Sequence, residues 1–326
     1  MKQRRRYFIT LGVFILTVWA VNSSLFVKIE EGRPELLAHR GLGQTFDIDG
    51  VKWNTNTARI IHEPEHPYLE NTLEGIAAAK AYGADIIEFD VRLTNDARLA
   101  VFHDYLLEYR TNGTGHISNF TMDELRRLDI GYGYTADGGK TYPFRGKGTG
   151  KMSSVDEVFC ACPGMNWLIH VKDGGMDAAR ELEKHLLNLE GDWPSRIAIY
   201  GDERTVRYFR NHYPRVRTLT KKLMVKAFLH YELIGWTGYI PRSFRNLEIH
   251  LPLNYARLLW GWPHRFLQRV EKANSRFVLV NGKGGWSTGF DNAEAIQRIP
   301  DHFRGCIWTD RIDVVAPFFL TVSQEQ

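Results

Sequence analysis

Ile87-Glu88-Phe89-Asp90-Val91 decides the fold of this chain, because it combines the pattern of a buried strand with two carboxylates. Alternate residues of a strand point to the same side, so Glu88 and Asp90 should project together toward a barrel interior or its rim. Two carboxylates placed together repel each other unless a positive charge lies between them. Hard divalent cations prefer such oxygen ligands, so the stretch predicts a metal site at the end of a strand.

Further strand-like runs alternate with helix-like segments along the chain. Eight runs can be counted, at 36–39, 86–91, 167–171, 197–200, 217–220, 247–251, 277–280 and 306–309. Eight parallel strands with crossover helices predict an α/β fold, the TIM-type (β/α)8 barrel, whose chemistry sits at the C-terminal strand ends. A ninth run at 99–103 follows its predecessor too closely for a parallel crossover. We expect it to turn back and bring His103 over the site.

Composition and charge bound the class of protein. With 326 residues, 44% of them hydrophobic and 25% charged, the chain fits one barrel domain with insertions. The formal net charge is +4, and four positive charges come from Lys2, Arg4, Arg5 and Arg6. The remainder is close to neutral, which argues against a nucleic-acid-binding protein.

The segment 7–27 is mostly apolar and follows a basic leader, Lys2-Gln3-Arg4-Arg5-Arg6. About 20 such residues can cross a bilayer as a helix, and positive flanking charge stays on the cytoplasmic side. We therefore expect residues 1–28 to form a cytoplasmic leader and a transmembrane helix. The barrel domain, 29–326, should then lie on the exported side of the membrane, periplasmic or extracellular. A cleaved signal peptide would begin in the same way, although 20–24 is a poor cleavage site.

Four short motifs follow one another in the first third of the chain. They are His39-Arg40-Gly41, Glu70-Asn71-Thr72, Glu88 to Asp96 and His103-Asp104, followed by Arg110 to Gly115. This ordered set closely resembles the glycerophosphodiester phosphodiesterase family, and Trp308-Thr309-Asp310 near the end is also family-like. The resemblance implies an enzyme that hydrolyses glycerophosphodiesters to glycerol 3-phosphate and an alcohol with the help of one divalent metal cation.

The resemblance also implies roles for single residues. His39 and His103 would act as general acid and base, since a phosphodiester needs one group to activate the nucleophile and one to protonate the leaving alkoxide. The substrate's own free hydroxyl would attack first to give a cyclic phosphate, with water following. The expected substrate-binding residues are Arg40, Glu70, Asn71 and Lys172. The expected metal ligands are Glu88, Asp90 and His170.

One position departs from the family pattern. Family members usually carry Glu-x-Lys on the third strand, where this chain has His170-Val171-Lys172. Imidazole binds transition metals well but suits Mg²⁺ and Ca²⁺ poorly. Among Mg²⁺, Ca²⁺, Mn²⁺ and Zn²⁺, the change favours Mn²⁺ or Zn²⁺, or else a weaker site assisted by Asp173 or water.

Two alternatives to glycerophosphodiester hydrolysis stay open. The apolar N-terminal segment and the aromatic segment 221–241 would suit a membrane-associated, phospholipase-D-like relative that cleaves a lysophospholipid. A degenerate barrel that binds phosphodiesters without cleaving them is supported only by His170. The sequence does not indicate an oligomeric state.

Several other features allow more than one interpretation. The insertion 42–69 could cover the mouth of the site, although a solvated loop is favoured. The segment 221–241 could touch lipid, although core packing is favoured. Cys160, Cys162 and Cys306 lack metal-type spacing and are interpreted mostly as buried apolar side chains rather than as a disulfide.

Overall fold

The strand-like runs of the sequence form a nearly closed barrel of eight parallel strands. In the computed structural model, residues 2–29, 31–52, 54–282 and 288–320 are described. The strands are β1 Glu35–Ala38, β2 Ile86–Leu93, β3 Leu99–Val101, β4 Asn166–Val171, β5 Ile197–Gly201, β6 Arg217–Leu219, β7 Glu248–Pro252, β8 Arg276–Val280 and β9 Cys306–Thr309. The TIM-type fold is therefore confirmed.

The order of the strands around the ring is β6-β5-β4-β2-β1-β9-β8-β7. The two ends of this order meet through an isolated parallel bridge between Thr218 and Leu247. β3 pairs with β2 in antiparallel fashion and lies outside the ring. The prediction that the ninth run turns back beside its predecessor is thus confirmed.

Helices connect the strands and cover the outside of the barrel. They are α1 Lys2–Asn22, α2 Leu73–Ala81, α3 Met122–Arg126, α4 Val155–Ala161, α5 Gly175–Leu187, α6 Trp193–Arg196, α7 Glu203–His212, α8 Lys221–Ile234, α9 Leu253–Ala256, α10 His264–Lys272, α11 Ala293–Ile296 and α12 Ile312–Leu320. The N-termini of α3 and α4 are fixed by capping boxes from Thr121 and Ser154. Both boxes are readable in the sequence as Ser or Thr followed three residues later by Glu.

The two faces of β2 show how the barrel sorts its side chains. Ile87, Phe89 and Val91 join the large apolar cluster between the strands and the helices. Ile86 belongs instead to the cluster inside the ring. Because strand residues alternate, Glu88 and Asp90 share the inner face with Ile86, and both carboxylates are fully buried.

The insertion 42–69 is not a solvated loop throughout. Ala58, Ile61 and Leu69 are buried in a separate apolar cluster that also contains Leu107. The backbone of Phe46 pairs with that of Ile61, so the segment folds back on itself. The insertion is therefore anchored to the barrel domain. This anchoring is consistent with the alternative prediction that the insertion covers the mouth of the site.

Helix α1 covers the predicted transmembrane segment but does not support that prediction. Among the described residues, no helix combines the length and the apolar character needed to cross a membrane. The C-terminal end of α1 packs on the barrel domain: Asn22 Nδ2 donates to the Trp236 carbonyl at 2.7 Å, and Arg269 donates to the Val21 carbonyl at 3.0 Å.

The aromatic segment and the cysteines divide between core and surface. In α8, Tyr231 is fully buried, while Leu229 and Leu233 are exposed. Core packing is thus confirmed for only part of this segment. All three cysteines are free; Cys162 and Cys306 are buried as predicted, while Cys160 is exposed.

Candidate active site

Glu88, Asp90 and His170 form one cluster on the inner face of β2 and β4. The sheet register pairs Asp90 with His170 and His170 with Tyr200, so these residues lie side by side on three neighbouring strands. One potential ligand atom from each of Glu88, Asp90 and His170 lies within 4.8 Å of the others. This is the arrangement that the Glu-x-Asp pattern predicted, with the imidazole in the third place.

Asp90 is held by contacts to both of its oxygens. Asn71 Nδ2 donates to Oδ2 at 2.9 Å, and the Asp90 amide donates to Asn71 Oδ1 at 2.9 Å. His170 Nδ1 and Lys172 Nζ lie 2.9 and 3.0 Å from Oδ1, yet this buried atom accepts no hydrogen bond of normal geometry. Burial opposes ionisation, but Lys172 and the other nearby cations outweigh it and hold the pKa of Asp90 well below its ordinary value.

Glu88 is held in a different electrostatic state. Tyr200 donates its hydroxyl to Oε1 at 2.7 Å, and the Arg40 amide donates to Oε2 at 2.9 Å. Burial, followed by repulsion from Asp90, raises the pKa of Glu88 to about 7. The pair therefore resists carrying two negative charges near neutral pH, which is the condition that a bound cation would relieve.

These donors fit a divalent cation. The cluster supplies two carboxylates and one imidazole, and the buried Asp90 Oδ1 has positively charged or polar nitrogens beside it but accepts no hydrogen bond of normal geometry. Burial, then Lys172, lowers the pKa of His170 to about 4, so the ring is neutral and able to act as a ligand. His170 also stacks on Tyr200 with the ring centroids 3.9 Å apart, which fixes its orientation. Asp173 is not part of the cluster, because its carboxylate pairs with Arg92 and the Leu93 amide.

His39 is directed by a carboxylate from the last strand. It follows β1, and its Nδ1 lies 2.5 Å from Asp310 Oδ1 at the end of β9. The Asp310 amide in turn donates to Asp291 at 2.7 Å. Burial, the largest single influence, would lower the pKa of His39, but the Asp310 carboxylate together with Glu88 outweighs it and the pKa is raised. The other ring nitrogen, His39 Nε2, lies 4.0 Å from Glu88 Oε2.

His103 is also held at Nδ1 by a carboxylate, but its pKa is shifted in the opposite direction. Its Nδ1 lies 2.9 Å from Asp104 Oδ1, and Asp104 pairs with Arg110 at 2.6 Å. Burial, followed by the positive charges of Arg40 and Lys172, lowers the pKa of His103 to about 3. The two histidines therefore differ strongly in their affinity for a proton.

Arg40 and Glu70 connect the two histidine sites. Arg40 lies 2.9 Å from Glu70 Oε1 and 3.3 Å from Asp90 Oδ2, and Arg110 also approaches Glu70 at 3.3 Å. Arg40 and Asn71 both have a left-handed φ, +58° and +57°, a conformation that is rare outside glycine. The Asn71 amide donates to the Arg40 carbonyl at 2.9 Å, so the two strained turns support each other.

One cavity of about 760 Å³ brings most of the predicted residues together. Its inner wall contains His39, Arg40, Glu70, His103, His170 and Lys172. Asn71 does not line it, because its side chain is buried behind Asp90. The predicted acid and base, His39 and His103, thus line one cavity. Glu88 and Asp90 do not line it but lie directly behind its wall, in contact with Arg40 and His170.

Sequence reasoning missed four residues that complete the site. They are Tyr200, Asp104, Arg110 and Asp310. Asp104, Arg110 and Asp310 belong to motifs that resemble the family, so the sequence marked these residues without indicating their roles. Tyr200 was marked only by its position at the end of a predicted strand.

Comparisons with known proteins identify the family of this chain. The model of the glycerophosphoryl diester phosphodiesterase family matches residues 39–236. The chain belongs to this family. It is 31% identical over 163 residues to the YhdW protein of Bacillus subtilis (strain 168), covering 49% of this chain and 63% of that one. It is 45% identical over 62 residues to the glycerophosphodiester phosphodiesterase of Caldanaerobacter subterraneus, covering 19% and 26%.

Solved structures share the barrel fold of this chain. The glycerophosphodiester phosphodiesterase of Agrobacterium tumefaciens aligns with a TM-score of 0.57 at 19% identity, covering 87% of this chain and 100% of that one. An Oleispira antarctica phosphodiesterase, solved with sn-glycerol-3-phosphate, aligns with a TM-score of 0.54 at 14% identity, covering 90% and 97%. This chain spans less than two thirds of the length of the two sequence relatives.

Proposed function

We propose that this protein hydrolyses glycerophosphodiesters to glycerol 3-phosphate and an alcohol. The observation that carries the proposal is the cavity wall in which two histidines, each held at Nδ1 by a carboxylate, lie beside a three-donor cluster. Family membership supports the reaction class. The relatives' names and the glycerol 3-phosphate complex of one structural neighbour support the substrate class.

In this proposal His39 is the general acid and His103 the general base. The raised pKa of His39 favours its protonated form, whereas the lowered pKa of His103 keeps that ring neutral. In the first step His103 Nε2 would accept the proton of the substrate's attacking hydroxyl, and His39 Nε2 would protonate the alcohol oxygen as its P–O bond breaks. In the second step the roles reverse: His39 would accept the proton of the attacking water, and His103 would return its proton to the hydroxyl oxygen that leaves phosphorus as the cyclic phosphate opens.

Charged residues of the cavity would position the phosphate. Arg40 presents a guanidinium that matches two phosphate oxygens, and Lys172 adds a point charge. Glu70 holds Arg40 in place, and Asn71 holds Asp90. When bound to Glu88, Asp90 and His170, a divalent cation would supply Lewis-acid stabilisation of the phosphoryl oxygens.

The first experiment measures release of glycerol 3-phosphate from glycerophosphocholine, with and without chelator, across Mg²⁺, Ca²⁺, Mn²⁺ and Zn²⁺. Since a positioned acid or base is typically worth about 10² to 10⁴ in rate, His39→Ala and His103→Ala should each lower kcat by at least about 10². His212→Ala is the matched control, because His212 is exposed on α7 and lies outside the cavity. Binding of glycerophosphocholine without turnover under every metal would instead favour a degenerate binding barrel.

We also propose that His170 shifts metal preference toward Mn²⁺ or Zn²⁺. The imidazole replaces the third carboxylate that hard cations prefer. His170→Glu should tighten Mg²⁺ or Ca²⁺ binding relative to Mn²⁺ in calorimetric titrations, independently of turnover. An unchanged order of affinities would reject the proposal.

Export of the catalytic domain is a separate proposal. Its support is the basic leader ahead of an apolar segment, a pattern typical of chains delivered across a membrane. Reporter fusions that are active on only one side of the membrane, placed after residue 320, test it. Activity of the cytoplasmic reporter would contradict export.

A further inference from the structure

One side of the catalytic cavity carries polar side chains to which the proposed reaction gives no role. They are His250 on β7, Thr288 in the segment after β8 and Trp308 on β9, and all three line the cavity. The strands β7, β8 and β9 are neighbours in the ring, so these residues come from one side of the barrel. We call this part of the cavity wall the β7–β9 side.

Each of the three residues has a buried polar atom that makes no hydrogen bond within the described part of the chain. These atoms are His250 Nε2, Thr288 Oγ1 and Trp308 Nε1. His250 is only 9% exposed and Trp308 only 3%. Because an unsatisfied buried polar group costs free energy, most such groups in folded proteins have a partner in protein, water or ligand. Three of them on one side of a cavity indicate a surface that hydrogen-bonds to a bound molecule.

The backbone holds the β7–β9 side in place. The Asn281 amide donates to the Thr288 carbonyl at 2.9 Å, and the Phe290 amide donates to the Trp308 carbonyl at 2.9 Å. Gly282 has a left-handed φ of +84°, and a Cβ added there would lie 2.6 Å from Thr288 Oγ1. The absence of a side chain at this position therefore leaves room for the Thr288 hydroxyl.

His39 lies between the phosphate site and this polar surface. Trp308 packs on His39 with the ring centroids 4.4 Å apart, and His250 packs on Trp308 with the centroids 5.1 Å apart. In the first step of the proposed reaction, the P–O bond to the headgroup alcohol breaks as the substrate's own hydroxyl oxygen bonds to phosphorus. The attacking hydroxyl gives its proton to His103, and the alcohol oxygen takes its proton from His39. The leaving alcohol therefore lies on the side of His39 and Trp308.

The polar atoms of this side match hydroxyl groups. The indole Nε1 of Trp308 is a donor only, whereas the Thr288 hydroxyl and a neutral imidazole can both donate and accept. Burial, followed by the charge of Arg276, lowers the pKa of His250 to about 3, so its ring is neutral. A hydroxyl group also donates and accepts, and a polyol offers several such groups close together.

A quaternary ammonium group fits the same side poorly. Such a cation needs an open aromatic face or a free carboxylate, and the indole of Trp308 is flanked by the rings of His39 and His250. The carboxylate of Asp310 is engaged by His39, and that of Asp291 accepts from the Asp310 amide. Choline would therefore gain little here and leave the buried polar atoms without partners.

We propose that the β7–β9 side recognises the leaving alcohol and selects headgroups that carry further hydroxyl groups, such as glycerol or inositol, over choline. This inference rests on the proposed function, because it specifies the headgroup of the same substrate. His250, Thr288 and Trp308 are its specificity-determining residues.

The experiment compares kcat/KM for two diesters of glycerol 3-phosphate, one with glycerol and one with propanol as the headgroup. The two headgroups have the same carbon chain, and only glycerol has further hydroxyl groups. Satisfying a buried polar group should give glycerophosphoglycerol an advantage of about 10-fold or more, and glycerophosphocholine should resemble the propyl diester. Equal turnover of the glycerol and propyl diesters would overturn the inference while leaving glycerophosphodiester hydrolysis intact.

Variants test the polar atoms one at a time. Trp308→Phe removes Nε1 and keeps an aromatic ring beside His39, Thr288→Val replaces the hydroxyl with a methyl group, and His250→Phe removes the ring nitrogens. Each change should lower the ratio of glycerol-diester to propyl-diester kcat/KM by about 10-fold, which is about 1.4 kcal/mol. Unchanged ratios in all three variants would contradict recognition by this side.

The ratio also separates recognition from general damage. Both substrates are measured on one preparation, so the fraction of folded protein and the intrinsic difference between the two leaving groups cancel when a variant is compared with the wild type. Trp260→Phe is the matched control, because its indole donates to the Glu232 carbonyl and does not line the cavity. This variant should keep the wild-type ratio.

Binding distinguishes failure of this inference from failure of the proposed function. If no diester is hydrolysed under any metal, the proposed function fails, and calorimetric titration of the full chain with the glycerol and propyl diesters still tests the β7–β9 side. If the diesters are hydrolysed, the titration uses His103→Ala to prevent turnover. Tighter binding of glycerophosphoglycerol that is lost on adding Trp308→Phe would support the inference. Equal binding of the two diesters would overturn it.

Discussion

Replacing Asp310 with asparagine tests whether the carboxylate from the last strand directs the acid of the proposed mechanism. Asp310 Oδ1 lies 2.5 Å from His39 Nδ1, so it fixes the tautomer that leaves Nε2 for the substrate. Burial alone would lower the pKa of His39, and the Asp310 carboxylate reverses this effect. Asparagine has nearly the same shape but no charge, so Asp310→Asn removes the electrostatic contribution and largely keeps the packing.

The magnitude follows from the kind of bond that is lost. A hydrogen bond to a charged group contributes about 1.5–3 kcal/mol, which corresponds to a fall in kcat of about 10- to 150-fold. Without the carboxylate the pKa of His39 falls. The alkaline limb of the kcat profile, where the acid loses its proton, should therefore move to lower pH.

The assay measures kcat and KM for glycerophosphocholine across pH, together with a diester whose leaving group is nitrophenol. Nitrophenolate leaves without protonation, so Asp310→Asn should slow this substrate much less than glycerophosphocholine. Asp123→Asn, an exposed change on α3, is the control and should leave both profiles in place. Equal slowing of the two substrates, with an unmoved alkaline limb, would refute the role assigned to Asp310.

Three further predictions concern the groups that surround the cluster. Arg110→Met removes one partner of the buried pair with Asp104, and it should lower the free energy of unfolding in urea by about 3–5 kcal/mol; a loss within experimental error would contradict the pairing. Asn71→Ala frees the Asp90 carboxylate, and calorimetry should show Mn²⁺ affinity reduced by about 10- to 100-fold. In chelator, the raised pKa of Glu88, about 7, means that the folded state binds this proton more tightly than the unfolded state. The quantity to follow is the free energy of unfolding of the wild type minus that of Glu88→Gln. This difference should fall as pH rises from 4.5 to about 7, by at most about 1.4 kcal/mol per pH unit. A difference that stays constant with pH would show that Glu88 does not hold the proton.

A local pattern was sufficient to predict the two carboxylates of the proposed metal cluster. The period of two in β2 placed Glu88 and Asp90 on one face, and the buried alternation of Ile86 and Ile87 confirms that this face is the barrel interior. His170 was added through the resemblance, because it stands where family members carry a glutamate, and the register of the structure aligns it with Asp90. The period of two is a property that a sequence displays directly, whereas the neighbourhood of β2 and β4 is known from the structure.

The insertion was harder to interpret because its apolar residues have no regular period. Ala58, Ile61 and Leu69 are buried against the segment after β3. No strand or helix pattern in the sequence predicts this contact. The short helix 57–60 contains one turn only, too few residues for an amphipathic repeat to be visible. Composition alone favoured a solvated loop, whereas tertiary packing made it a wall of the cavity.

Closure of the barrel supplies what the local patterns could not. His39 and Asp310 are 271 positions apart, and they meet because β1 pairs with β9 in a register that sets Ala38 opposite Thr309. The metal cluster needs only β2 and β4, so a chain folded without its last strand would retain every proposed ligand. It would lack the carboxylate that raises the pKa of His39. The proposed proton transfer by His39 therefore depends on the completed ring. This is why the motif at the end of the chain resembled the family but had no role until the strand order was known.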